Sequence, residues 1–207
     1  VRKRVAIERD EVKLEAQEAK WRLKHAAGTN GVDRVIGIIT LPAFYGDLMG
    51  EISGKDDFKS CTRDVEKILQ GAATGKVDGI ILDLRSNGGG SLSEAVRMVG
   101  LFIRSGPAVQ VKEKRMRRLD DRDPGIAYSG PLVVLVSRMS ASASEIVAGA
   151  LQDYGRALVV GDSKTHGKGT VQAIIYVGRD DRYGVIKLTT ASYYRITGES
   201  TQIKGVA

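Results

Sequence analysis

The chain has 207 residues, with 32 Lys or Arg against 25 Asp or Glu, for a formal charge of +7. That length suits one domain or one and a half; a single cysteine, Cys61, excludes a disulfide scaffold, and a hydrophobic content of 42% spread along the chain argues against disorder. No apolar run reaches the roughly 18 residues of a membrane span, and with aromatic residues at 5% and positive charges interleaved with acids, nucleic acid is not an expected partner.

The chain opens at Val1 rather than Met and reads as a piece of a longer polypeptide, so a signal or anchor outside it is left open. Val5 and Ile7, then Val12 and Leu14, alternate with polar residues around Arg9-Asp10, which predicts two exposed strands and a turn; a helix over 11–23 competes. A loop over 27–31 follows, then a strand over 34–39 that Pro42 closes. Phe44 to Lys55 reads as a loop or lid punctuated by Gly46, Gly50 and Gly54. Phe58, Cys61, Val65 and Leu69 share one face of a helix over 57–69, with Cys61 as core packing.

Residues 79–84 are almost continuously apolar, as a strand covered on both faces is. Asn87-Gly88-Gly89-Gly90 leads into a helix over 91–103, and Val109 and Val111 begin another strand. The basic cluster 112–118 reads as a solvated loop, since Asp120, Asp121 and Asp123 follow it. A second buried strand over 131–136 precedes a helix over about 142–153, and strands follow at 157–160, 171–175 and 185–188. Buried strands alternating with helices predict an α/β core.

Three stretches suit chemistry. Ser86 to Gly90 ends a buried strand; its glycines admit a close ligand, and free N–H groups before a helix hold anionic oxygen. A tight strand-to-helix turn is the plain alternative, and the dinucleotide spacing G-x-G-x-x-G is absent. Ser140-Ala141-Ser142-Ala143-Ser144-Glu145-Ile146 sits at the carboxyl end of a strand, where α/β folds gather ligands. A serine there is placed for nucleophilic attack beside an oxyanion site. The same letters, Ser142-x-x-Glu145, also fit a helix capping box. The third stretch is Thr165-His166-Gly167-Lys168-Gly169-Thr170-Val171-Gln172; Gly169 after the lysine breaks a phosphate-loop pattern.

A serine nucleophile needs a base, and the two histidines offer little. His25 lies in a charged segment, and His166 has no carboxylate partner in sequence. A lysine serves if its pKa falls, because only the neutral amine accepts a proton. Gln172 sets a geometric condition. In an extended strand it lies about 13 Å from Lys168, whereas in a helical turn the two are neighbours. A Ser-Lys-Gln site therefore predicts a helical turn over 168–172.

These residues resemble the catalytic core of the carboxy-terminal processing, or tail-specific, proteases of peptidase family S41. The shared segments are 84–90, 140–146, Gln152-Asp153-Tyr154-Gly155-Arg156-Ala157 and 167–172, together with Asp121-Arg122-Asp123-Pro124, Tyr128-Ser129-Gly130-Pro131 and the closing Ser200-Thr201-Gln202-x-Lys204-Gly205-Val206. The resemblance runs from about Val35 to Ala207 and implies Ser142 as nucleophile, Lys168 as general base and Gln172 as its orienter. It implies an oxyanion hole made by an N–H near Gly88 or Gly89 and that of Ala143, with Glu145, Asp153 and Thr165 in support. It also implies a ClpP/crotonase-like core of spiralled β-β-α units with extra strands on the N-terminal side. The implied activity is a serine endopeptidase, without metal or cofactor, acting in the bacterial envelope or periplasm on proteins with apolar C-terminal tails.

The family usually reads G-E-x-T-x-G-K-G, whereas Gly161 to Lys168 carries one extra residue and Asp162 in place of Glu. The expected division is a charged segment over 1–33 flanking a protease core over 34–207, with no recognisable PDZ domain in the sequence. Protein or peptide substrates, a homo-oligomer and an adaptor protein are the partners to look for. Two other readings compete: a non-catalytic peptide-binding scaffold on the same fold, and a crotonase-type acyl-thioester enzyme.

Overall fold

The computed structural model describes residues 18–28, 31–74, 77–178 and 184–207. The strands expected around Val5 to Leu14 lie outside the described residues. Strand β1 (Lys20–Ala27) pairs antiparallel with β2 (Asp33–Thr40), so from Lys20 onward the competing helix is replaced by strand. The apolar runs then build a parallel set: β3 (Gly79–Asp83), β6 (Leu132–Val136) and β7 (Leu158–Gly161) join β2 in the order β1-β2-β3-β6-β7. Ile39, Leu82 and Val134 on its central strands are fully buried. Near-continuous apolar strands are what two-sided coverage of a parallel sheet requires.

Helix α1 (Leu48–Ile52) interrupts the segment expected as loop. Helix α2 (Cys61–Thr74) begins four residues later than its apolar spacing predicts, because Ser60 starts it: Ser60 Oγ accepts the Arg63 N–H at 3.2 Å. Phe58 is left outside the helix, with the Arg63 guanidinium over its ring at 4.6 Å. Cys61 is fully buried as expected, and burial, with Glu94 beside it, pushes its thiol pKa up. Helix α3 (Leu92–Gly100) and helix α4 (Ala143–Asp153) follow β3 and β6. Met98 and Val99 from α3 and Val147 and Leu151 from α4 fill the core.

A second, antiparallel sheet has the order β5-β4-β9-β8, from β4 (Gly106–Lys112), β5 (Met116–Asp121), β8 (Thr170–Tyr176) and β9 (Val185–Tyr194). The basic cluster is therefore a hairpin, with Lys112 opposite Met116, not a loop. Its charged side chains are exposed all the same, which is why charge density alone concealed the strand. Helix α3 packs on α4, β4 and β5, and α4 packs on β4 and β7, so the helices link the two sheets. The chain is thus a mixed α/β protein, as its alternating pattern predicts.

Candidate active site

Strands β3 and β6 end side by side, and two loops meet there. Asn87 ties them together. Its Nδ2 donates to the Leu41 carbonyl at 2.9 Å, and its own carbonyl accepts the Ala141 N–H at 3.1 Å and Ser144 Oγ at 2.8 Å. Gly89 lies so close to the serine loop that a Cβ there would meet the Ala141 carbonyl and Ser142 Cβ at 2.8 Å. With φ +106, it satisfies two demands that only glycine meets.

The three serines of 140–144 have different fates. Ser140 Oγ donates to the Leu84 carbonyl at 2.8 Å, and Ser144 Oγ to that of Asn87. Both are buried and engaged in joining loops. Ser142 is half-buried, and its Oγ lies 3.4 Å from Lys168 Nζ. Its backbone has φ 58 and ψ −112, away from the extended geometry of an ordinary helix cap and in a region that non-glycine residues rarely occupy. The letters still serve the helix start as a capping box: the Glu145 carboxylate accepts the Ser142 N–H at 2.8 Å, and Glu145 and Ile146 N–H donate to the Ser142 carbonyl at 2.9 and 3.0 Å.

Glu145 is fully buried and fastens the serine loop to the lysine loop. Its carboxylate accepts Ser142 N–H at 2.8 Å, Thr165 Oγ1 at 2.6 Å, Gly167 N–H at 2.6 Å and Lys168 N–H at 3.0 Å. Four donors, one of them beside a helix N-terminus, are the surroundings in which a buried carboxylate is satisfied. The closing segment completes the lysine loop. Ile203 N–H donates to the Gly167 carbonyl at 2.7 Å, Gly169 N–H to Gln202 Oε1 at 2.7 Å, and Thr201 Oγ1 to the Lys168 carbonyl at 3.0 Å. A Cβ at Gly167 or Gly169 would press on Ile203 or Gln202 at 2.9 or 2.8 Å, which accounts for the glycines flanking Lys168. In the loop before the lysine, Thr165 is buried against Glu145. Burial lowers the Lys168 pKa; Lys187 lowers it further, and Glu145 opposes them.

Among the backbone donors, Gly89 N–H is taken by Asn87 Oδ1 at 2.8 Å. Gly88 is exposed, and a Cβ there would meet nothing within 4 Å. Ala143 opens α4, where N–H groups lack intrahelical acceptors. Two expected residues stand apart. Asp153, at the far end of α4, pairs with Arg195 in a half-buried bridge. Gln172 is exposed on β8 opposite Thr189, and among the described residues no hydrogen bond joins its side chain to Lys168. The helical turn expected over 168–172 is overturned. Thr170, Val171, Ile174 and Ile175 favour strand, and β8 pairs along β9 with an irregularity between Val171 and Gln172.

The sequence reading missed Tyr193, which is buried on β9 with its hydroxyl donating to the Lys168 carbonyl. It also gave no individual role to Asn87, Thr201 or Gln202. The last two lie in a segment singled out for its letters, and only their contacts with Lys168 and Gly169 reveal their use.

Residues 35–207 match the sequence model of Peptidase family S41. The chain is 41% identical to the tail-specific protease of Haemophilus influenzae over 98% of its own length and 28% of that protein. It is 39% identical to the carboxy-terminal-processing protease of Bartonella bacilliformis over 72% of its length and 34% of that protein. Among solved structures, the photosystem II D1 C-terminal processing protease superposes with a TM-score of 0.75 at 25% identity, over 96% of this chain and 48% of that one. The chain spans about a quarter to a third of the curated relatives it matches.

Proposed function

Because the chain belongs to Peptidase family S41, we propose that it is the catalytic core of a serine endopeptidase that processes proteins near apolar C-terminal tails. The observation that carries this reading is Ser142 Oγ 3.4 Å from Lys168 Nζ at the start of α4, with the lysine pKa lowered. Neutral Lys168 takes the Ser142 proton as Oγ attacks the scissile carbonyl, and the resulting ammonium returns it to the leaving amine. The oxyanion that forms meets the N–H groups of Gly88 and Ala143; Gly89 shapes that turn and keeps its own N–H on Asn87. Water then releases the acyl group from Ser142 by the same proton path. Thr165 and Glu145 hold the two loops together, and Asp153 acts from a distance through Arg195.

The proposed architecture beneath this site is the ClpP/crotonase-like spiral, with 34–207 as the core and 1–33 flanking it. Among the described residues no helix is long and apolar enough to cross a membrane; the bacterial envelope is proposed from the kinship with tail-specific proteases. Cleavage of a substrate with an apolar tail by the intact protein tests the reading. Ser142→Ala and Lys168→Ala should each lower kcat by about 1,000-fold or more, and wild-type rates in both would end it. Tail binding without turnover by the wild type would favour a scaffold, and acyl-thioester turnover that survives Ser142→Ala would favour a crotonase-type enzyme.

A further inference from the structure

The nucleophile and the base stand on different elements, Ser142 at the start of α4 and Lys168 on the loop before β8. Glu145 joins them on one side through backbone N–H groups. On the carbonyl side they are joined by Tyr193. Its hydroxyl donates to the Lys168 carbonyl and stands 3.4 Å from the Ser142 carbonyl oxygen. The ring is among the largest fully buried side chains of the molecule, so the hydroxyl has little freedom to wander. Burial pushes the phenol pKa far up, and it keeps its proton throughout the working range.

Strand β9 is itself fixed to α4. Two residues beyond Tyr193, the Arg195 guanidinium reaches Asp153 with Nε at 3.1 Å, Gln152 Oε1 at 2.8 Å and the Gly149 carbonyl at 3.4 Å. The helix that bears Ser142 thus grips β9 near its far end, and β9 returns a hydroxyl to the Ser142–Lys168 pair. We propose that Tyr193 is a positioning residue of the peptidase reaction, setting the separation of Ser142 and Lys168 by joining their carbonyls to a strand that Arg195 and Asp153 clamp to α4. This rests on the Ser142–Lys168 reading above. It also gives Asp153 a route to the site it does not touch. Among the described residues the charged groups that face Lys168 are Glu145 from α4 and Lys187 from β9; Glu145 also interacts with the Tyr193 hydroxyl, and Tyr193→Phe leaves both charges in place.

Tyr193→Phe keeps the buried ring and deletes only the hydroxyl. In the intact protein, kcat should fall about tenfold or more, as misplacement on the ångström scale does, with KM within about twofold. The rising limb of kcat against pH should move to higher pH, because a looser Lys168 is better hydrated and holds its proton longer. Asp153→Asn should shift the same limb in the same direction, and the double variant should lose less than the product of the two single losses. Thermal melting of each variant gives the folded fraction to which rates are normalised. A wild-type kcat in Tyr193→Phe, or a lower kcat with an unmoved limb, overturns the positioning role. Full activity in Ser142→Ala would instead overturn the reading beneath it, so the two failures are separable.

Discussion

Two helices of this chain open on the same pattern. Ser91-Leu92-Ser93-Glu94 starts α3 after β3, and Ser142-Ala143-Ser144-Glu145 starts α4 after β6. Ser91 is an ordinary cap, with φ −66, ψ 129 and its hydroxyl accepting the Glu94 N–H at 3.3 Å. Ser142 has φ 58 and turns its hydroxyl to Lys168. The glutamates diverge as well. Glu94 faces α2, accepting Ser60 Oγ at 2.8 Å and Thr62 N–H at 2.9 Å, and so fixes one helix on another. Glu145 faces two loops and holds Ser142 beside Lys168. One short pattern thus starts a helix in both places, and the loop delivered opposite it decides whether a site arises.

Exchanging the acids is the strongest way to break this comparison. Glu145→Gln should lower kcat by about 100-fold, since the loops it joins would shift. Glu94→Gln should leave kcat per folded molecule unchanged, while each costs about 2–3 kcal/mol of stability as charged hydrogen bonds are lost. Denaturant unfolding beside single-turnover rates separates the two, and equal rate losses would erase the distinction.

The pH profile sharpens it next. Because the folded Lys168 pKa is lowered, kcat should rise with pH, about tenfold per unit below the limb, with a midpoint below the usual lysine value. The unfolded chain keeps that proton to higher pH, so stability should also rise between the lowered value and the usual one. Lys168→Met should flatten that rise in pH-dependent melting.

The smallest changes in stability concern the serines. Ser91→Ala should cost about 1 kcal/mol as a lost cap and leave the rate untouched. Ser142→Gly should gain about 1 kcal/mol, because glycine accepts the positive φ, while abolishing cleavage. A loss of stability in Ser142→Gly would make Ser142 an ordinary cap after all.

Much of this was legible in the sequence because the groups are local. Ser142, Ala143 and Glu145 share one helix start, and the glycines around Lys168 mark a backbone pressed by another segment. The buried strands could be read because two-sided burial leaves no room for alternation. What escaped was long-range or composed of unremarkable letters. Tyr193 is one of seven tyrosines and gains its role from an approach across 25 residues to Lys168. The hairpin over 106–121 was hidden because both faces of β5 are charged or half-exposed. Gly88 and Gly89 were equivalent letters until Asn87 Oδ1 took one of their N–H groups. The site reading also asked for a helical turn before Gln172, where the strand composition of 170–175 was the better guide.

The last turn of the chain over the lysine loop has a consequence for the order in which the molecule is made. Thr165 N–H donates to the Val206 carbonyl at 3.1 Å, Val206 N–H to Thr165 Oγ1 at 2.8 Å, and Ile203 N–H to Gly167. A nascent chain that has emerged as far as β9 holds Ser142, Glu145 and Lys168, yet lacks the segment that encloses the lysine loop. The walls around the lysine arrive only with residues 201–206, some sixty residues after the serine. Synthesis from N- to C-terminus therefore places Ser142 in the chain well before the segment that packs on the Lys168 loop.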